Sequence, residues 1–495
     1  MIHKNFQAII LAAGKSSRFK TGKTKLLEKI CGQEMILFAT KLFETLDVPT
    51  TVVVGYQKEL VTEVVTKNHG NTVSFAIQDV QRGTGHAIFC SKDVWHEDHI
   101  LIMNGDAPLI TEEIIEELFA KHVATNAAIS FVTAHNADPS TRGYGRVIET
   151  DNQIRIVEEK EFAGDAHQHC CINAGIYIAK KEFLTTYIET INSDNNSKEF
   201  YITDLVKIAS DEKLTVSTVS APFDRIRGIN TFQELWIAQQ IKRGELIKYW
   251  MDNGVEFSVA QNVHIELNAQ IGTGSRIGGG AHILGTTTIG RNCEIGEFSI
   301  VENSTMEDEA IVHSHCVVKD SHIAAHAQVG PFAHLRNQAK IGAHCIVGNF
   351  VEVKQSTLGE NTKVKHLSYL GDAEIGTHVN IGAGTITCNH NGISKHKTII
   401  QDNAYIGSNN TLVAPVIIGK KAFTGAGSVI TKNVPEGALA LGRSRQVNKE
   451  GYAAKLMDKT LLQDVVDSDT SSNSNSLSFI GAVKTENNPS SMFDQ

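Results

Sequence analysis

The sequence has no long run of lysine or arginine, and its 495 residues carry a formal net charge of −9. Without a basic stripe to neutralise a phosphate backbone, a nucleic-acid partner is not expected. No apolar run approaches the length that spans a bilayer, and residues 1–10 lack a signal-peptide pattern, so no membrane partner is expected either. The eight cysteines (31, 90, 170, 171, 293, 316, 345 and 388) include no CxxC pair. They read as reduced thiols of a cytoplasmic protein, not as a disulfide frame. Three tryptophans against 40 glycines fit a turn-rich repeat over part of the chain. The length exceeds one compact core and implies two or three domains.

The first 230 residues alternate short apolar strands with helical patterns, which predicts a mostly parallel α/β sheet covered on both faces. The strand Phe6–Leu11 runs into Ala12-Ala13-Gly14-Lys15-Ser16-Ser17-Arg18, with Lys23 and Lys25 close behind. Small residues there let backbone N–H groups approach a ligand, and the basic side chains suit a polyphosphate. The Walker A spacing is absent, and an ordinary glycine turn with surface lysines fits the same residues. A second apolar strand, Ile100–Met103, ends in Asn104-Gly105-Asp106. A carboxylate past the C-terminal end of a sheet strand can hold Mg²⁺ against phosphate oxygens, although a turn aspartate near proline is common. Further along come Gln78 with Gly83-Thr84, the glycine turn Gly143–Arg146, Glu158, Asn173 and Asn230. Residues 231–250 then carry apolar side chains at spacings of three and four, predicting an amphipathic connecting helix with Asn230 as its N-cap.

From Ile271 an aliphatic residue returns every six positions: Ile271, Ile277, Ile283, Ile289, Ile295, Val301. Five further hits in phase would arise by chance about 3 times in 10,000. Small residues recur four positions on, among them Ser275, Ala281 and Cys293. Neither a helix nor a plain strand keeps a six-residue period, whereas the sides of a three-sided coil do. The beat resumes at Val329 and runs with slips to Ile418. Within it, His366, Tyr369, Asn380 and Glu352 sit at offsets that point outward. Neutral imidazole suits deprotonation of an amine attacking a thioester, and Glu352 is expected to orient His366. Any one outward histidine among twelve after residue 252 is as readily a surface residue. His313 and His315, with no third ligand in view, do not read as a metal site. After about residue 452 the composition turns to serine, asparagine and aspartate, predicting a disordered tail over 452–495.

These pieces resemble a known family over roughly residues 5–450. Residues 1–230 are similar to sugar-nucleotide pyrophosphorylases, most of all the N-terminal half of the bifunctional bacterial enzymes that make UDP-N-acetylglucosamine. Residues 252–451 are similar to the left-handed β-helix acyltransferase half of the same enzymes, joined by an arm over 231–251. The resemblance implies a uridylyltransferase site in which Leu11, Ala12, Ala13, Gly14, Arg18 and Lys25 bind UTP. Gln78, Gly83 and Thr84 would read the uracil, Gly105 would line the site, and Gly145, Glu158 and Asn173 would hold the amino sugar. Asp106 and Asn230 would ligate Mg²⁺. It also implies that Arg336, Lys354, Tyr369 and Asn380 bind glucosamine-1-phosphate, with His366 as general base and Glu352 beside it. Ala383, Asn389, His390, Ser408, Ala426 and Arg443 would contact acetyl-CoA. The implied assembly is a homotrimer with the acetyl site between subunits, feeding peptidoglycan and lipopolysaccharide precursors. Ser16-Ser17, Thr24, Asn104 and His390 depart from the family pattern. Two rival readings are a pyrophosphorylase for another sugar whose coil is only an oligomerisation scaffold, and a non-catalytic sugar-nucleotide sensor.

Overall fold

The computed structural model describes residues 5–20, 22–135, 143–150, 153–162 and 170–458. Positions 459–495, most of the expected tail, lie outside the described residues. The described residues up to Gly442 form one compact unit, and those from Arg443 belong to a second.

The first half is a nine-stranded mixed sheet. Its strands are β1 (Phe6–Ala12), β2 (Thr50–Val54), β3 (Val73–Ile77), β4 (His99–Asn104), β5 (Ile129–His135), β6 (Arg146–Thr150), β7 (Gln153–Val157), β8 (Cys171–Lys180) and β9 (Val216–Ser220). The main path runs β9-β5-β8-β4-β1-β2-β3, with β6 and β7 as a hairpin beside β8. β1, β2, β3 and β4 are parallel, and β1, β2 and β4 have the near-continuous apolar composition of strands buried on both faces. β8 runs antiparallel to β4 and β5. Helices cover both sides, one core gathering Phe43, Val52 and Ile115, the other Ile9, Ile102 and Phe131. The C-terminal ends of β1 and β4 therefore open onto a common crevice.

The arm is a helix over Phe232–Asp252, but its cap is Thr231, not Asn230. The Thr231 hydroxyl accepts from the Glu234 N–H at 3.2 Å, and the Glu234 carboxylate accepts from the Asn230 N–H at 2.6 Å. This variant of the capping box, with the N3 carboxylate on the N–H of the residue before the cap, leaves the Asn230 side chain free to face the crevice. The helix is also less amphipathic than expected. Leu235, Ala238, Ile247 and Trp250 are buried, whereas Trp236 is 59% exposed. Leu235 and Ala238 pack on Cys31 and Met35 of the first half, and Ile247 and Trp250 join the core of the coil.

The coil runs from Glu256–Phe257 to Leu439–Ala440. Its strands form three all-parallel sheets of 11, 10 and 9 strands, each strand pairing with the third one after it except at the last pair, Phe423–Thr424 with Leu439–Ala440. Three short sides per turn make a triangular prism, the left-handed β-helix of hexapeptide proteins. The aliphatic ladder is buried as expected, from Ile277 and Ile295 to Ile406 and Ile418. Each such side chain contributes about 1.5–3 kcal/mol of burial, realised only against neighbouring coils. The small residues between them close the corners. Ser275 Oγ donates to the Gly290 carbonyl at 2.8 Å and accepts from the Cys293 N–H at 3.0 Å.

The ladder continues unbroken through the stretch where the sequence beat lapses. Met306, Val312, Val318 and Ile323 are all buried in it. Along one sheet, Ile277, Ile295, Val312, Val329, Val347, Val364 and Ile381 are successive partners. The next rung, Ile406, comes only after an excursion closed by a bridge between His390 and Lys395. One corner carries Phe298, His315, Phe332 and Phe350, all with φ of 55–61°. Such left-handed backbone costs about 1 kcal/mol per residue, and ring stacking at 5.0–5.3 Å between centroids offsets it. His315 is thus held between two phenylalanines as part of this stack.

Candidate functional site

Two cavities open in the crevice of the sheet and share Leu11, Thr84, Asn104 and Asp106. The first, of about 440 Å³, is lined by Leu11, Ala12, Ala13, Gly14, Lys25, Gln78, Gly83 and Thr84 among others. The second, of about 150 Å³, is lined by Gly143, Tyr144, Gly145, Glu158, Asn173, Gly228 and Asn230. Asp106 stands where they meet. Gly105 and Arg18 line neither. A β-carbon on Gly105 would come within 2.9 Å of Ile36, so this glycine lets β4 close on the core. The Arg18 guanidinium lies beside Gly143, at the rim of the second cavity.

Lys25 Nζ sits 2.5 Å from Asp106 Oδ2 and 2.6 Å from Asn230 Oδ1. Asn230 reaches this point because Ile229 N–H donates to the Asp106 carbonyl at 2.9 Å. Two oxygens converging on one cationic group form a donor set that also fits a hard divalent cation. Among the described residues no group of three or more His, Cys, Asp or Glu could hold a metal. A cation held by Asp106 and Asn230 would therefore need further ligands from outside the His, Cys, Asp and Glu side chains. The geometry implies that the ammonium and the cation compete. In a Lys25→Met variant, Mn²⁺ affinity without nucleotide, read by electron paramagnetic resonance, is expected to rise about tenfold, equivalent to ~1.4 kcal/mol. Unchanged or weaker Mn²⁺ binding would contradict that competition.

The second cavity is built for a polar ligand. Asn173 Nδ2 donates to Tyr177 Oη at 2.6 Å, and Asn173 Oδ1 accepts from the Gly175 N–H at 3.2 Å. Thr203 Oγ1 donates to Glu158 Oε1 at 2.9 Å. Burial raises the Glu158 carboxyl above the usual carboxylate range, and the Thr203 hydroxyl partly offsets this.

On the coil, Arg336, Lys354 and Tyr369 lie on one sheet, and His366 ends a strand of the adjacent one. Arg336 and Lys354 are partners on successive rungs, and Lys354 is followed by Gly371. A β-carbon on Gly371 would collide with the Tyr369 hydroxyl and the Asn389 amide, so both groups gather over this glycine. Asn389 also donates to Asp372. The expectation that Glu352 orients His366 is not met here. The Glu352 carboxylate accepts from Arg336 Nε at 2.8 Å and pairs with its Nη2 at 2.6 Å. His366 Nδ1 instead donates to Asn349 Oδ1 at 2.9 Å, one rung away. In the neutral ring that bond puts the proton on Nδ1 and the lone pair on Nε2.

The strand register puts His366, Ala383, Ser408 and Ala426 in one column. Each is two residues past a ladder position, and those positions are successive partners. At about 4.8 Å per rung the column runs ~14 Å from His366 along one corner of the prism. Asn380 is not in this group. It pairs with Lys363, three residues before His366, and so lies ~10 Å away along the same face. Arg443 belongs to the second unit.

Known proteins match this arrangement from end to end. The profile of the MobA-like NTP transferase domain covers residues 8–173, that of the GMPPB C-terminal domain 259–339, and that of the bacterial transferase hexapeptide (six repeats) 397–432. The bifunctional protein GlmU of Exiguobacterium sibiricum is 41% identical over 454 residues, covering 90% of this chain and 100% of that protein. The chain belongs to the GlmU family. Bifunctional GlmU proteins of Clostridium botulinum (strain 657 / Type Ba4) and Koribacter versatilis are each 38% identical. They cover 90% and 92% of this chain, and 98% and 97% of their own lengths.

In this GlmU-family chain the four departures have structural accounts. Thr24 N–H donates to Gln57 Oε1 at 2.8 Å, a bond proline could not make, and Ser16 Oγ accepts from the Lys25 N–H at 2.9 Å. Together they fix the backbone that carries Lys25. Asn104 lines both cavities and packs against Gly175, whose φ is +72°. His390 Nδ1 accepts from the Gly392 N–H at 3.0 Å, so this ring is engaged in its own hairpin. Two residues escape a reading by motif. Asn349 has the same offset from Val347 as His366 has from Val364, which is the signal that finds it. Lys395 lies in the aperiodic excursion and reaches Lys354; the hydrogen bond between the two side chains, followed by the Lys354 charge, lowers the Lys395 pKa. Two ammonium groups side by side suit an anion.

Proposed function

We propose that the chain makes UDP-N-acetylglucosamine in two steps, and that its halves, 1–230 and 252–451 joined by the arm 231–251, act in the reverse of their order in the sequence. The coil transfers the acetyl group of acetyl-CoA to the amine of glucosamine-1-phosphate. The sheet half then joins N-acetylglucosamine-1-phosphate to UMP from UTP, releasing pyrophosphate. The observation that carries this reading is one chain with two separate polar centres, matched along 90% of its length by bifunctional relatives.

At the coil, Arg336, Lys354 and Lys395 hold the sugar phosphate and Tyr369 packs beside it, with Asn380 contributing from the far edge of the face. His366 Nε2 takes the proton from the amine as nitrogen attacks the thioester carbonyl, and CoA thiol leaves. Asn349 keeps the proton on Nδ1, so Nε2 stays available. The small side chains of Ala383, Ser408 and Ala426 leave room for the extended arm of acetyl-CoA, with Asn389 as a further contact.

In the sheet half, Gln78, Gly83 and Thr84 take the base, and the backbone of residues 11–14 lies against the triphosphate. Glu158 and Asn173 bind the sugar. Arg18 and Lys25 neutralise the phosphates so that the sugar-phosphate oxygen can approach the α-phosphorus in line. Mg²⁺, held by Asp106 and Asn230, supplies further neutralisation when bound. No side chain is required as a nucleophile. A homotrimer through the β-helix and a cytoplasmic location complete the reading; free cysteines throughout suit that reducing compartment.

The test is acceptor selectivity. With UTP, pyrophosphate release is expected with N-acetylglucosamine-1-phosphate and to be much slower with glucosamine-1-phosphate. Equal rates with both would overturn the order of steps.

A further inference from the structure

The base-reading end of the nucleotide cavity is wired to a histidine that lies outside that cavity's lining. Gln78 is 3% exposed. Its Nε2 lies 3.1 Å from the Gly83 carbonyl oxygen and 2.9 Å from His86 Nδ1. A carbonyl oxygen can only accept, so the atom facing it must be the amide nitrogen, which fixes the orientation of the Gln78 side chain. One amide N–H is spent on Gly83. The second is spent on His86 only if Nδ1 carries a lone pair, which makes His86 the neutral, Nε2–H tautomer. Burial, followed by the nearby Arg82 charge, lowers the His86 pKa and favours that form. Cys90 Sγ packs against the ring, 3.8 Å from both of its nitrogens.

The frame around this pair is fixed. Gly83 has φ of +110°, and a β-carbon there would come within 2.5 Å of the Phe200 carbonyl. Gly85 N–H donates to that same carbonyl at 2.8 Å, and Thr84 Oγ1 accepts from the Ile202 N–H at 3.1 Å. The short helix Thr84–Phe89 therefore holds His86 at a set distance from Gln78.

With both its N–H groups satisfied inside the protein, Gln78 has only Oε1 left to offer the cavity. We infer that His86 is a positioning residue for pyrimidine choice: by taking the second Gln78 N–H it reinforces the orientation that the Gly83 carbonyl sets, in which Oε1 is the group presented to the base. An acceptor in that place bonds the ring N3–H of uracil. It opposes the bare N3 of cytosine, where two acceptors would face each other. If the His86 lone pair is removed, one Gln78 N–H loses its partner and only the Gly83 carbonyl holds the amide, so the amide turns more readily and a donor can meet cytosine. The inference rests on the reading that Gln78 faces the base.

The experiment compares kcat/KM for UTP and CTP in the full-length enzyme, with N-acetylglucosamine-1-phosphate as acceptor. His86→Leu and His86→Ala, which lack an acceptor, are expected to lower the UTP/CTP ratio about tenfold, the scale of one mis-set buried hydrogen bond. His86→Asn, whose side-chain oxygen can stand near the position of Nδ1, is expected to keep the ratio within about twofold. A merely structural role would lower both substrates together and leave the ratio unchanged. Acetyl transfer by the coil serves as the folding control for every variant. Gln78→Leu separates the two levels of the argument. If it collapses the ratio while the His86 variants do not, the role of His86 is overturned and the reading of Gln78 stands. If it too leaves the ratio unchanged, Gln78 does not face the base and both fall.

Discussion

Replacing His366 with alanine is expected to slow acetyl transfer by about 10²–10⁴-fold and to leave uridylyl transfer within about twofold. The first figure is what a positioned general base contributes when it takes the proton from an attacking amine. His366 is suited to this because its Nδ1–H is committed to Asn349 at 2.9 Å, which leaves Nε2 to accept. The substitution removes an exposed side chain from the end of a strand whose ladder residue, Val364, remains buried. The coil should therefore stay folded. The second figure follows from separation, since the nucleotide cavity is lined only by residues up to Glu199. Release of CoA thiol and of pyrophosphate, measured on the same preparation, reads both effects. Asn349→Ala is expected to give a smaller loss of the same kind, because the imidazole keeps its place but no longer has a fixed tautomer. A His366→Ala enzyme with undiminished thiol release would remove the general base from the account.

The mirror-image result is expected for Asp106→Ala. Uridylyl transfer should fall by about 10²-fold or more, with acetyl transfer unchanged within about twofold. Asp106 is the one carboxylate that both cavities share with Asn104, Leu11 and Thr84. Its loss removes a proposed cation ligand and also releases Lys25, whose ammonium it holds at 2.5 Å. Asp106→Asn keeps the shape and a neutral oxygen, so any activity above that of the alanine variant measures how far charge rather than shape matters. Pyrophosphate release at several Mg²⁺ concentrations separates the two losses. If the cation is the main casualty, raising Mg²⁺ partly restores Asp106→Asn. If Asp106→Ala retains full uridylyl transfer, the proposed cation site is wrong.

The architecture was legible because its two signals are strong ones. Buried parallel strands read as apolar runs ending in chemistry-bearing loops, and the coil reads as a six-residue beat. The beat lapsed after Val301 for a geometric reason. Two sides of the prism there, Val301 to Met306 and Val318 to Ile323, advance the ladder by five residues instead of six. A register tied to strict hexads loses phase although the fold does not. Most of the residues named for the sheet crevice line its two cavities; Arg18 and Gly105 do not. What spacing could not show is who partners whom. Lys25, Asp106 and Asn230 are scattered over 205 positions, and nothing local says that an ammonium sits between the two oxygens. Glu352 and His366 both point outward, but they belong to different faces, and Arg336 claims the carboxylate first. Lys395 was missed because it lies in the one excursion that obeys no period. Asn230 was read as a helix cap because it precedes an apolar helix. Thr231 and Glu234 form the cap together, and that frees Asn230 for the crevice.

The central claim is that the coil is a catalyst and not only a scaffold, so the most direct measurement is CoA thiol release by the purified chain with acetyl-CoA and glucosamine-1-phosphate, in the absence of UTP. The account predicts turnover that depends on the sugar phosphate and disappears in His366→Ala. Folded protein that releases pyrophosphate with UTP but no thiol under these conditions would contradict it.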